Sequence, residues 1–454
     1  MSHATLAEAA ADLAAGRTTA AALTEAALER IADPDGEGGR AFLVVQAEAA
    51  RASARAMDAL RQAGRAPSPW AGIPISIKDL YDEAGQQTRG GSKALADVAP
   101  ATATAPSVAR LQRAGFVVLG RTNMVEFAFS GLGHNPHFGT PRSPWGRDKG
   151  DRATGRLPGG SSSGAAVATA DGMGFAGLGS DTGGSCRIPA ALCGLVGWKP
   201  TAKRVPLTGT LPLSFTLDSL GPIARSVACC AVIDSLMAGE EAWSPGLPVP
   251  VAGLRLGVLQ GYVTENWDAG VTSAFEAALS RLSAAGARVE KLVVPELADI
   301  PKANATGGYA SSEAYAFHRG LIERQRDAYD PRILSRILRG GQMAAADYIQ
   351  LGQDRARIIS AFAARTAGYD AVVSPTCALV PPALSEIEDE AEYGRINLLL
   401  LRNTSVGNFL DRCAISLPCH KPGEAPVGFQ LMGEHGGDAR LFAVAQAVEA
   451  ALAA

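Results

Sequence analysis

The chain has 454 residues, 47% of them hydrophobic and 19% charged, with a formal net charge of −3. This composition supplies a large apolar core and lies far from disorder, and it offers no basic field for nucleic acid or an anionic membrane. No apolar run reaches membrane-spanning length, VACCAVIDSLMAG being short and interrupted by Asp234, and the N-terminus lacks a secretory signal pattern, so a cytoplasmic location is expected.

In chain order, the first sixty-odd residues read as helices. Leu6, Ala10 and Leu13, then Leu23, Ala27 and Ile31, recur at helical spacing, with Gly16 as punctuation. A short β-branched run follows from Gly72 to Leu80, then a helical SVARLQRAG and the strand-like FVVLG. A second such unit runs through LRLGVL, the helical SAFEAALSRLSAAG and RVEKLVVPE. YDAVVSPT, CAISLP and VGFQLMG read as further strands, and DARLFAVAQAVEAAL as a closing helix capped by Asp438. The rhythm predicts an α/β fold: a large, mixed, mostly parallel central sheet with helices on both faces. The Pro/Gly-rich stretch 239–253 is a linker or a surface loop. Strands on both sides of it favour one domain over residues 1–454, with a helical segment 1–65 packed on it; two lobes joined at 239–253 are the alternative.

The seven cysteines are odd in number and contain no C-x-x-C pair, so free, buried thiols are expected and neither a disulfide frame nor a zinc site. Three other features carry chemistry. Lys78 lies in the apolar run 72–80, on one face with Ser76 and Leu80. Read alone, it is either a strand-end lysine that snorkels or pairs with Asp79, or a buried functional amine. The run PGGSSSGAAVA, 158–168, is either a flexible linker or a tight loop feeding a helix N-terminus. It contains a formal G-x-S-x-G, which nominates Ser162 as a hydrolase nucleophile with His318, His420 or His435 as its base. In GSDTGGSCRIPAA, 179–191, small residues before Ser185 let backbone N–H groups converge on one point. Gly172, Gly174 and Gly177 match G-x-G-x-x-G without the strand–turn–helix context of a dinucleotide site.

The stretches GIPISIKDL, PGGSSSGAA and GLGSDTGGSCRIPAALCGLVGWKPT, with GRTNMVEFAFS, TLDSLGPIARSV, AVVSPT and PVGFQLMG around them, resemble the amidase signature family over nearly the whole chain. The resemblance implies a serine–serine–lysine triad that hydrolyses linear amide carbon–nitrogen bonds through an acyl-enzyme. Ser185 would be the nucleophile, Ser161 the bridging serine after a cis Gly160–Ser161 peptide, and Lys78 the base. The G-x-S-x-G reading of Ser162 then becomes a coincidence of glycines. The oxyanion would rest on the N–H groups of Thr182, Gly183, Gly184 and Ser185, with Asp181 and Arg187 bracing the loop. A lysine base at neutral pH needs a pKa well below its ordinary ~10.4, which burial provides. No metal or organic cofactor is implied; the partner is a small-molecule amide, carbamate or urea-like substrate, with no nucleic acid and no membrane, and a homodimer is compatible.

The chain departs from the family in places. Relatives that bind malonate-like acids carry an arginine where this chain has Ile188, which argues against a small dicarboxylic half-amide. The charged insertion GRDKGDRATGR, 146–156, is either a solvated loop or a lid over the entrance. Ser163 and Ala165 replace a common glycine and serine. Two alternative functions stand beside the amidase. One is the catalytic subunit of a tRNA-dependent amidotransferase, disfavoured by Leu80 where those relatives carry asparagine. The other is an inactive binding protein on the same fold.

Overall fold

The computed structural model describes residues 4–147, 155–240 and 249–453. Its strands are β1 (Phe42–Val45), β2 (Pro74–Lys78), β3 (Val117–Thr122), β4 (Ala176–Ser180), β5 (Val196–Lys199), β6 (Leu220–Ala224), β7 (Arg255–Gln260), β8 (Arg288–Val293), β9 (Ala371–Pro375), β10 (Ala414–Pro418) and β11 (Gly428–Met432). They form one eleven-stranded sheet in the order β1-β3-β2-β4-β6-β5-β10-β11-β9-β7-β8.

Apolar residues leave both faces of the sheet in alternation. Ile75, Ile77 and Val118 pack into a core shared with helices Val227–Ala238 and Asp438–Ala453. Val117, Leu119 and Ile223 point the other way, into a core built with helices Ala20–Ala32 and Ser163–Ala170. The α/β sheet with helices on both faces is therefore present. Its balance differs from the expected parallel majority: β2–β3, β2–β4, β7–β8 and β7–β9 are parallel, whereas the other six neighbouring pairs are antiparallel. Hydrophobic period reports a strand's faces and is silent about its direction.

The segment read as helical, 1–65, also holds a strand, because FLVV pairs with β3 as β1 at the sheet edge. Four residues between helices are too few for alternation to register. The strands β4, β5 and β6, with sequences AGLGS, VGWK and LGPIA, likewise carry no strand pattern in the sequence. Glycine weakens a strand signal and marks close backbone approach. A Cβ on Gly177 would lie 2.8 Å from that of Ala165, and one on Gly179 2.7 Å from Ser162 Oγ, so these glycines let helix Ser163–Ala170 close onto β4.

Asp438 is the first residue of its helix, and its carboxylate accepts from the Thr201 N–H and Oγ1 instead of capping from outside. Among the described residues no helix is long and apolar enough to cross a membrane. All seven cysteines are free and buried. Residues 148–154 of the insertion and 241–248 of the Pro/Gly-rich stretch lie outside the described residues.

Candidate active site

Strands β2 and β4 run parallel, with Ser76 opposite Gly177 and Ile77 opposite Leu178. Their C-terminal ends therefore bring Lys78 and Ser180 side by side, the edge at which open α/β sheets bind ligands. Lys78 lies on the face opposite Ile75 and Ile77 and is fully buried. Its Nζ is 2.7 Å from Ser161 Oγ, 3.0 Å from Ser162 Oγ and 2.9 Å from Ser180 Oγ. Asp79 points away and pairs with the buried Arg121 at 2.7 Å, so the two open readings of Lys78 separate: it neither snorkels nor pairs with its neighbour. Burial pushes its ammonium down to about 7, against the weaker pull of Cys186, Asp218 and Asp181.

Ser161 follows a cis Gly160–Ser161 peptide in the loop that enters helix Ser163–Ala170. Ser185 lies in the turn between β4 and helix Arg187–Cys193, where it lines a cavity of about 390 Å³. Its Oγ makes no hydrogen bond among the described residues, including none to Ser161. Hydrogen bonds of this kind are often open in an unliganded site.

The turn before Ser185 is polarised. The Gly183 carbonyl accepts from Thr404 Oγ1 at 2.7 Å, the Gly184 carbonyl from the Ile188 N–H at 2.7 Å, and the Ser185 carbonyl from the Ser162 N–H at 3.3 Å. The N–H groups of Thr182, Gly183, Gly184 and Ser185 have no acceptor among the described residues. Gly184 sits at φ +134°, and a Cβ there would strike Thr404 Oγ1 at 2.1 Å. Thr182 Oγ1 donates to the buried Asp218, which also accepts from the Leu213 and Ser214 N–H groups; burial raises its carboxyl to about 6.

Beneath the turn, the fully buried Arg187 holds Asp181 through Nε at 3.1 Å and Nη2 at 2.8 Å, and donates to Gln430 at 2.6 Å and Asn408 at 2.7 Å. Asp181 also accepts from the Cys186 N–H. Burial by itself would raise the Asp181 carboxyl; Arg187 and Asn408 outweigh it and hold the group at about 2.

The structure thus gathers Lys78, Ser161, Asp181, Arg187 and residues 182–185 in one place. It also adds Ser162, Ser180 and Asp218. Nothing in the sequence marks Ser180, because only the β2–β4 pairing makes it a neighbour of Lys78. The histidines proposed for Ser162 bond elsewhere: His318 to Tyr329, His420 to the Val427 N–H and His435 to the Asp411 carbonyl. Gly172, Gly174 and Gly177 run from helix to strand, the reverse of a dinucleotide turn. Ile188 is buried and does not line the cavity; Ser163 and Ala165 do not line it either, and Ser163 Oγ makes no hydrogen bond among the described residues. The described flanks of the insertion, Gly146, Arg147, Gly155 and Arg156, do not line it either; Arg156 stacks on Trp145 and donates to the Pro381 carbonyl. A larger groove of about 930 Å³, lined by residues such as Thr102, Leu211 and Phe317, contains none of the triad positions.

The family model described as Amidase matches residues 22–442. A 2-amino-5-chloromuconic acid deaminase of Comamonas testosteroni is 36% identical, covering 99% of this chain and 96% of that protein. The A-type subunit of the glutamyl-tRNA(Gln) amidotransferase of Koribacter versatilis is 32% identical over 96% of each chain. A crystal structure of an amidase superposes with a TM-score of 0.87 at 33% identity, covering 98% of this chain and 99% of that one.

Proposed function

The chain belongs to the amidase family and is an enzyme that hydrolyses amide carbon–nitrogen bonds, and from that premise we propose that Ser185 is the nucleophile of a Lys78–Ser161–Ser185 relay. The observation that carries this reading is the 2.7 Å contact of Ser161 Oγ with a fully buried lysine whose proton is lost near pH 7. Neutral Lys78 takes the Ser161 proton, and Ser161 takes that of Ser185 as its oxygen attacks the amide carbonyl. The relay requires that the Ser161–Ser185 bond close when substrate fills the cavity. Charge developing on the carbonyl oxygen is received by the free N–H groups of Thr182, Gly183, Gly184 and Ser185, whose own carbonyls, at 183–185, are held elsewhere. Ser161 returns the proton to the leaving amine or ammonia, and water releases the acyl group by the reverse path. Asp181 and Arg187 brace the turn without touching substrate.

The substrate is a small amide, carbamate or urea-like molecule, the site is cytoplasmic, and no cofactor enters the steps. The chain is read as one domain over 1–454; hydrogen bonding of β5 to β10, which carries the sheet from the first half to the second, supports this. A second reading, as one component of a tRNA-dependent amidotransferase, is favoured by the 32% identity to such a protein; co-purification with a tRNA-binding partner would revive it. The test of the first reading is labelling by a fluorophosphonate together with amide turnover. Both are expected to vanish in Ser185→Ala, with turnover down at least about 10⁴-fold, and labelling to persist in Ser162→Ala. The opposite pattern would overturn the assignment in favour of Ser162.

A further inference from the structure

The cavity in front of Ser185 is apolar along most of its wall, and no aspartate or glutamate among the described residues lines it. Arg336 and Asn397 in its lining nevertheless present N–H donors that no group among the described residues accepts. Arg336, on helix Pro331–Gly340, is half-buried; its Nη1 donates to the Phe129 carbonyl at 2.7 Å and its guanidinium lies 5.2 Å from the centre of the Tyr393 ring. Among the described residues no carboxylate pairs with it, and its Nε and Nη2 are unengaged. That is the same edge with which Arg187 grips Asp181.

Asn397 is 6% exposed, and its Oδ1 accepts from Ser130 Oγ and from the Gly131 N–H, both at 2.9 Å. A backbone N–H can only donate, so this pair fixes which end of the amide is oxygen. The Nδ2 group is left beside the cavity, donating to no protein group among the described residues. The two side chains belong to one patch. Phe129 and Ser130, which anchor them, are consecutive, and Tyr393 stands one helical turn before Asn397 in helix Glu390–Phe409.

A cation in an apolar wall is unfavourable without a counter-charge, and the same low polarity strengthens a pair once formed. A flat group with two acceptor oxygens and a negative charge matches the free guanidinium edge and the neighbouring amide donors together. We infer that the substrate is an amide that also carries a carboxylate, held by Arg336 and Asn397 while its carbonyl lies at Ser185. This inference rests on the amidase reading of the same cavity. The missing arginine at 188 removes one route to such a substrate; the cation comes instead from helix Pro331–Gly340.

The test compares kcat/KM for the monoamides of succinic, glutaric and adipic acids with that for butanamide, pentanamide and hexanamide. The wild-type enzyme is expected to favour the acids, and Arg336→Gln to lower the acid-to-neutral ratio about 10- to 100-fold. Asn397→Asp keeps an oxygen for Ser130 and Gly131, replaces the donors with negative charge, and lowers the ratio at least as far; it also serves if Arg336→Gln fails to fold. Wild-type preference for the neutral amides, or a ratio unchanged in a folded variant, overturns the inference and leaves the hydrolase standing. If no amide is cleaved and Ser185 takes no label, the hydrolase reading falls. Calorimetric titration of adipate then decides the carboxylate site: binding weakened in either variant sustains it, and equal or absent binding overturns it.

Discussion

Two cations lie fully buried on either side of the turn that carries Ser185, and they are treated oppositely. Arg187 meets Asp181, Gln430 and Asn408, so its charge is compensated and its position fixed. Lys78 meets three serine hydroxyls and, among the described residues, no carboxylate, so burial drives its proton off near pH 7. A buried charge with a full set of partners is a strut; one with only neutral partners is poised to exchange a proton. The difference lies in the partners, because both side chains are equally excluded from water.

The largest effect is expected from removing the poised cation. Lys78→Met should cost about 10²–10⁴-fold in kcat/KM, the range for a general base, without loss of the fold. Retained turnover would end the distinction. Between about pH 7, the folded pKa, and the ordinary ~10.4 of the unfolded chain, the unfolded state binds one more proton, so wild-type stability should rise with pH across that window. Urea midpoints at pH 6 and 9 check this; the Lys78→Met midpoint should lack that lysine-dependent rise.

Removing the strut should act on stability. Arg187→Met leaves the Asp181 carboxylate buried without its main partner and should cost about 3–5 kcal/mol, read from denaturant unfolding. A stable Arg187→Met enzyme with turnover selectively lost would mean that Arg187 also serves the reaction.

A gentler probe is the pH profile. kcat/KM should rise along a limb near 7 as Lys78 loses its proton, and His318→Gln, His420→Gln and His435→Gln should each leave the limb in place. Loss of the limb in any one of them would return the base to histidine. The smallest effect is expected of Ser180→Ala. It removes one acceptor from the ammonium and should move the limb down by no more than about one unit, with a several-fold change in rate. An upward move would mean that Ser180 favours the neutral amine.

Much of this arrangement was legible in the residues themselves. Lys78 stood out as a lysine in an apolar β-branched run, and the glycine and serine runs at 158–168 and 179–191 looked like tight loops. Their resemblance to one family linked the three across about a hundred residues, and helices and strands with clear period appeared where expected. What stayed illegible has physical causes. Glycine-rich strands such as β4 and β6 carry little apolar alternation, so the central part of the sheet left a weak trace. Ser162, an N-terminal neighbour of its helix, reads as a nucleophile by motif, yet its hydroxyl lies on Lys78 beside Ser161.

By itself the sequence determined the α/β class, the identity of the reactive residue types and the loops that bear them, because side-chain chemistry and local period are written residue by residue. Only the tertiary structure decided strand direction, the placing of Ser180 beside Lys78, and the turning of Asp79 toward Arg121. It alone brought Arg336 and Asn397, more than a hundred residues beyond Ser185, to the wall of the same cavity. Such relations depend on which distant segments share a strand edge or a cavity wall, and on how completely each buried charge is partnered, and neither is encoded in any local stretch of chain.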